Sequence, residues 1–197
     1  MNVFLSASFP SGERGERFKP YDPAAISAAV RALARAILLA HGRIVFGAHP
    51  TISPVILLAA SEFEVAGAID IYQSAYFADQ IPEETLRLVE LGYGALHMID
   101  ADPAADLRLS LQLMRRAMFT EQDVAAGVFV GGMEGIRDEY DLLAELRPDA
   151  ARLPLTAPGG AARELPIGDD PVSQRLAPVL GDEHYPVVAH EIVAALG

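Results

Sequence analysis

Three kinds of residue in this chain have types and spacings that can do chemistry. The first is an acid, Glu139, set just after the glycine-rich run Gly131-Gly132-Met133-Glu134-Gly135. The helix that follows Gly135 has Ile136, Leu143 and Leu146 on an i, i+7, i+10 stripe, and Glu139 falls on that stripe at i+3. A carboxylate on a buried arc needs hydrogen bonds, a cation or a ligand to hold its charge. The alternative is a first-turn acid that complements the helix dipole and reaches solvent. The second kind is a pair of cations, Arg115 and Arg116, ending the preceding helix beside a core-facing Met114. Either is placed to bind a phosphate or carboxylate in a cleft, or simply to compensate its helix C-terminus. The third is a set of turn residues able to hold an anion on backbone N–H groups.

Four such turns follow apolar runs: Ser6-Ala7-Ser8, Gly47-Ala48-His49-Pro50-Thr51, Gly131 to Gly135, and Pro158-Gly159-Gly160-Ala161. A strand-to-helix turn of small residues directs free N–H groups outward and admits a phosphate closely. Each also reads simply as a tight turn, but four in one chain point to a nucleotide-like ligand. His49 either donates to that ligand or caps the helix after it. His97 lies inside an apolar run and reads as a satisfied core residue. His41, His184 and His190 have no metal-ligand spacing, so neither a metal nor a cofactor is expected. The chain has neither a G-x-G-x-x-G nor a P-loop motif, and no G-x-S-x-G elbow supplies a serine nucleophile.

The elements that must position these residues alternate regularly. Short apolar runs at 3–8, 43–46, 68–72, 95–99, 127–130 and 153–157 read as strands buried on both faces. Between them lie helices: one opened by Asp22-Pro23, others at 53–60, 82–91 and 104–119, one ending at Leu146, and a short one after Gly160. A last helix spans 184–196. Residues 10–22 read as a long polar loop, and 166–181 carries no assignable element. Strands alternating with helices of this kind specify an α/β fold, a Rossmann-like three-layer arrangement with a mostly parallel sheet and helices on both faces, in a single domain over 1–197.

Composition narrows the function classes. With 27 acidic against 15 basic side chains the net charge is −12, so no basic stripe is available for nucleic acid. The chain has no Cys, which excludes disulfides, zinc-thiolate sites and a thiol nucleophile. The stretch 24–40 is broken by Arg31 and Arg35, so no membrane partner is expected, and a cytoplasmic location follows as the default. The apolar helices suggest a homodimer.

Four blocks of this sequence resemble the SLOG superfamily, named for the Smf/DprA proteins and the Lonely Guy phosphoribohydrolases. They are Phe4 to Ser8, Phe46 to Thr51, Phe129 to Glu139, and Thr156 to Glu164. The Lonely Guy enzymes carry P-G-G-x-G-T-x-x-E with an Arg on the helix before it, and use that Arg and Glu to cleave an N-glycosidic bond. Gly131, Gly132, Gly135, Glu139 and Arg115 are similar to that set. Val130 stands at the Pro, one more residue separates Gly132 from Gly135, and Ile136 stands at the Thr. These departures favour the superfamily's nucleotide-sensor branch, found beside TIR and sirtuin effectors and in TRPM channels. The resemblance implies binding of an NAD- or ADP-ribose-derived nucleotide in a defence or stress pathway, with a separate effector protein as partner. Ser6, Ala7, Ser8, Gly47, His49, Pro50, Thr51, Gly131, Gly132, Met133, Glu134, Gly135, Gly159 and Gly160 would hold the ligand. The alternative it implies is a nucleotide N-glycosidase with Glu139 and Arg115 catalytic. On the sensor reading, Gly131→Val is expected to block the ligand's approach and leave the fold largely intact.

Overall fold

The computed structural model describes residues 1–197. The chain opens with β1 (Asn2–Ser8), α1 (Gly12–Gly15), a 3-10 turn (Glu16–Phe18), α2 (Pro23–Leu39), β2 (Arg43–Gly47), α3 (Ser53–Glu62) and β3 (Ile69–Ser74). A second 3-10 segment (Ala75–Gln80), α4 (Glu83–Glu90), β4 (Ala95–Ile99), α5 (Leu107–Glu121) and β5 (Ala126–Gly131) follow. The remainder is α6 (Glu134–Leu146), β6 (Ala151–Leu155), a 3-10 turn (Ala161–Glu164), α7 (Pro171–Leu176) and α8 (Tyr185–Leu196).

All six strands are parallel, in the order β4-β3-β2-β1-β5-β6. The chain winds outward from β1 through β2, β3 and β4, then crosses to the other side of β1 as β5. The strand order therefore reverses between β1 and β5, which is where open α/β sheets bind ligands. In register, Ser8 lies beside Gly131 at that boundary. This is an α/β, Rossmann-like three-layer fold.

Strand alternation sends neighbouring residues to opposite faces, so each central strand feeds two cores. Val3, Leu5, Ile44, Phe46, Val128 and Val130 pack against α2, α3 and α8. Phe4, Val45, Tyr72 and Phe129 pack against α5 and α6, with Phe4 edge-on to Phe119 at 4.7 Å. α2 begins as its sequence specifies. Asp22 accepts from the N–H groups of Ala24 at 2.8 Å and Ala25 at 3.3 Å, and Pro23 fills the first turn. No helix is long and apolar enough to cross a membrane.

Four details differ from the sequence expectation. The loop 10–22 folds its first half into α1 and a 3-10 turn. α5 starts at Leu107 rather than 104, because Asp102 accepts from Ala104 and Asp106 in a separate turn and Ala105 takes a φ of 56°. Asp106 then caps the helix through Leu109 N–H at 2.8 Å. β6 sits two residues earlier, at Ala151–Leu155, since Thr156 N–H leaves the sheet for the Leu180 carbonyl. Within 166–181, Asp170 caps α7 through Ser173 N–H at 2.9 Å.

The glycine turns after β5 and β6 are packed against protein backbone. Gly131 has a φ of 66°, and a Cβ there would lie 2.6 Å from Ile26 and 2.8 Å from the Ser8 carbonyl. A Cβ on Gly160, at a φ of 73°, would lie 2.5 Å from the Gly131 backbone. The expectation that Gly131→Val spares the fold is thus corrected: the side chain has no space and the wrong backbone conformation. Strain and overpacking together predict a loss of about 3 kcal/mol or more of unfolding free energy, measurable by urea denaturation.

Candidate functional site

Beyond the carboxyl ends of β1 and β2, between α5 and α6, lies a cleft of about 180 Å³. Ser6, Ala7 and Ser8 from β1 line it, with Gly47 ending β2, His49 just after it, Arg115 from α5, and Gly135 and Glu139 from α6. These eight are all residues that the sequence singles out. Leu5, Ala48, Leu111, Met114 and Ile136 complete the wall. Leu5 lies in the same β1 segment as the residues above and Ala48 in the same turn after β2, while Leu111, Met114 and Ile136 are apolar positions of α5 and α6.

At the centre is Glu139. The Ser6 hydroxyl donates to its Oε2 at 2.5 Å, and Arg115 Nε donates to its Oε1 at 3.3 Å. Arg115 also donates from Nη1 to Asp138 at 2.9 Å, bridging two acids one residue apart. The side chains of Glu139 and Arg115 are only 15 % and 13 % exposed, so the pair is largely withdrawn from water. Burial pushes the Glu139 carboxyl above its ordinary value, against the opposing pull of the Arg115 charge and the Ser6 hydrogen bond. The carboxylate is therefore pinned in position yet costly to ionise.

His49 is held in place from two sides. Its backbone N–H donates to Ser53 Oγ at 3.0 Å, while the Ser53 N–H returns a bond to the His49 carbonyl at 3.0 Å. The Thr51 N–H donates to the ring Nδ1 at 3.3 Å, with Thr51 Oγ1 also 3.0 Å from that nitrogen. Burial lowers the pKa of the His49 imidazolium below its ordinary value, favouring the neutral ring. α3 opens at Ser53 without a side-chain cap, and the reciprocal Ser53–His49 bonds fix the turn before it.

The other candidate residues stand apart from the cleft lining. Pro50 and Thr51 follow His49 in the chain and are exposed. Gly132 spends its N–H on the Ser8 carbonyl at 2.8 Å, and Gly131 lies in the β1–β5 ladder. Glu134 opens α6 and pairs with Arg14 at 2.9 Å, while Met133 precedes it with no side-chain cap. The N–H groups of Gly159 and Gly160 reach the carbonyls of Thr156 and Pro20, each at 3.1 Å. The four glycines of these two turns join protein segments. Arg116 turns outward to Glu145 at 3.3 Å.

One polar cluster escaped the sequence reading. Asp70, 3 % exposed, binds Arg43 Nη2 at 2.5 Å and His97 Nε2 at 2.9 Å. The His97 ring stacks on Tyr72 at 4.6 Å, and the Tyr72 hydroxyl, pushed up to about 12 chiefly by burial, donates to Glu121 at 3.0 Å. His97 is satisfied, as expected, but at an edge strand where its ring is 35 % exposed. No group of His, Asp and Glu forms a metal-holding cluster.

A family model described as the SLOG cluster3 family matches residues 17–191. The match takes in Gly47, His49, Arg115, Gly135 and Glu139, and begins after Ser6 to Ser8. No curated protein matches the chain.

Because the Glu139 carboxyl is raised by folding, the native state holds its proton to higher pH than the unfolded chain does. Its contribution to stability is complete below the ordinary glutamate range and falls as pH rises through the raised value. Thermal unfolding of the wild type and Glu139→Gln from about pH 4 to about pH 8 should show this slope in the wild type alone.

Proposed function

The chain belongs to the SLOG cluster3 family, and from that premise we propose that its cleft binds a phosphorylated nucleotide, with an NAD- or ADP-ribose-derived molecule as the ligand class. The observation that carries this reading is the Glu139 carboxylate, held by Ser6 and Arg115 at the point where the strand order reverses. Each carboxylate oxygen has one lone pair committed to a protein donor and one left, which suits a ribose hydroxyl. The uncapped first turn of α6, at Gly135 on the cleft wall, suits a phosphate. Acting as a sensor, the chain would report occupancy to a separate effector protein, and a homodimer is the assembly proposed for it.

A second reading has a specific observation behind it. The Arg and Glu that the phosphoribohydrolases use are both here, with Arg115 Nε 3.3 Å from Glu139 Oε1. In that chemistry the carboxylate would stabilise an oxocarbenium-like ribose or activate water as the base departs. One more residue separates Gly132 from Gly135 than in the enzymes' run, which moves Glu139 away from their geometry, and a misplacement of about 1 Å can cost about a hundredfold in rate. The sensor reading is therefore preferred.

A thermal-shift panel of NAD, ADP-ribose, cyclic ADP-ribose, AMP and nucleoside triphosphates tests binding. A ligand at roughly a hundred times its dissociation constant adds about 2.7 kcal/mol of stability. At least one nucleotide is expected to raise the midpoint, and Arg115→Met should abolish the shift. A flat response to the whole panel sinks the nucleotide reading. Chromatography after incubation with AMP or NAD separates the two classes: the sensor leaves them intact, whereas free base lost in Glu139→Gln establishes the glycosidase.

A further inference from the structure

The turn after β2 does more than present a histidine; it decides which of the ring's two nitrogens carries hydrogen. A backbone N–H can only donate, so the Thr51 N–H at 3.3 Å makes Nδ1 of His49 an acceptor. The Thr51 hydroxyl, 3.0 Å from the same nitrogen, must then donate to it as well. With Nδ1 unprotonated, the hydrogen of the neutral ring sits on Nε2, at the far side of the imidazole from Thr51. His49 lines the cleft, and Nε2 has no partner within the protein.

We infer that His49 is a specificity-determining residue, locked by Thr51 as a neutral Nε2–H donor that takes an acceptor oxygen of the nucleotide. The proposal rests on the nucleotide reading of the cleft and adds to it the character of one subsite. The reciprocal bonds between His49 and Ser53 fix the backbone, and the Thr51 contacts fix the ring, so little freedom is lost when a ligand arrives. A donor locked in this way rewards an oxygen that has only lone pairs to offer, such as a carbonyl, ring or phosphate oxygen. It gives nothing to an amine or to a hydroxyl acting as donor.

Its lack of charge also matters in this surrounding. The other titratable groups lining the cleft are Glu139 on α6 and Arg115 on α5, already paired with each other. Burial works against the imidazolium at this position. A charged His49 would add a general attraction for any anion, whereas the neutral donor rewards only an acceptor placed in line with Nε2–H.

Two measurements decide the matter. Nitrogen-15 histidine spectra of the full chain should report His49 as the Nε2–H tautomer around neutral pH, and its signals should move on adding ADP-ribose. An Nδ1–H tautomer or an imidazolium at neutral pH overturns the inference. In parallel, titration calorimetry with ADP-ribose compares three variants, each checked for folding by circular dichroism. A Gln amide reaches the place of Nε2, and an Asn amide that of Nδ1. His49→Gln should therefore bind within about twofold of the wild type, while His49→Asn and His49→Ala should weaken binding about threefold to tenfold, the loss of one neutral hydrogen bond. Equal binding by all three variants overturns the inference. If the wild type binds no nucleotide at all, the nucleotide reading and the ligand half of this inference fail together, while the tautomer spectrum still decides the donor lock by itself.

Discussion

The architecture turns on one buried charge. Moving a carboxylate away from water costs several kcal/mol unless donors and a cation replace the lost hydration. Glu139, on α6, meets that cost with groups from two other elements, Ser6 near the end of β1 and Arg115 on α5. Those elements must therefore close around one point, and the reversal of strand order beside β1 gives them the space. The compensation is incomplete, because burial still raises the carboxyl above its ordinary value. A core built only for stability would place a leucine here, as α6 does at Leu143, and the retained charge marks the cleft as a place of use.

The glycine-rich turns serve that arrangement from behind. Gly131 and Gly132 let the end of β5 close against Ser8, and Gly160 brings the turn after β6 onto the Gly131 backbone. The Pro20 carbonyl and Tyr21 pack on Gly159 and Gly160, so the loop after β1 is clamped to the same layer. These close approaches fix the height of β1 relative to α6, and with it the 2.5 Å bond from Ser6 to Glu139. A glycine in a sequence signals only that no Cβ fits. Which atoms fill that space is a fact of three dimensions, and Gly131, Gly159 and Gly160 each face a carbonyl oxygen of the same chain.

Much of this protein is legible in its residues alone. Apolar runs of strand length, Asp22-Pro23 before a helical stripe, and small residues after each strand are local signals, and each depends on interactions within a few positions. They suffice for the α/β alternation, the Rossmann-like class and eight of the cleft's residues, including the odd position of Glu139 on a buried stripe. The boundaries at Leu107 and Ala151 shifted because side-chain turns and a bond to Leu180 compete with the periodic pattern there. Other facts were decided only by the fold. Ser6 and Glu139 are 133 positions apart, Asp70 and His97 27, and each pair meets because of strand order and register, which no local spacing encodes. The same holds for charge and proton placement. A residue's type fixes what it can donate or accept, but the dielectric around Glu139 exists only once distant segments have packed together.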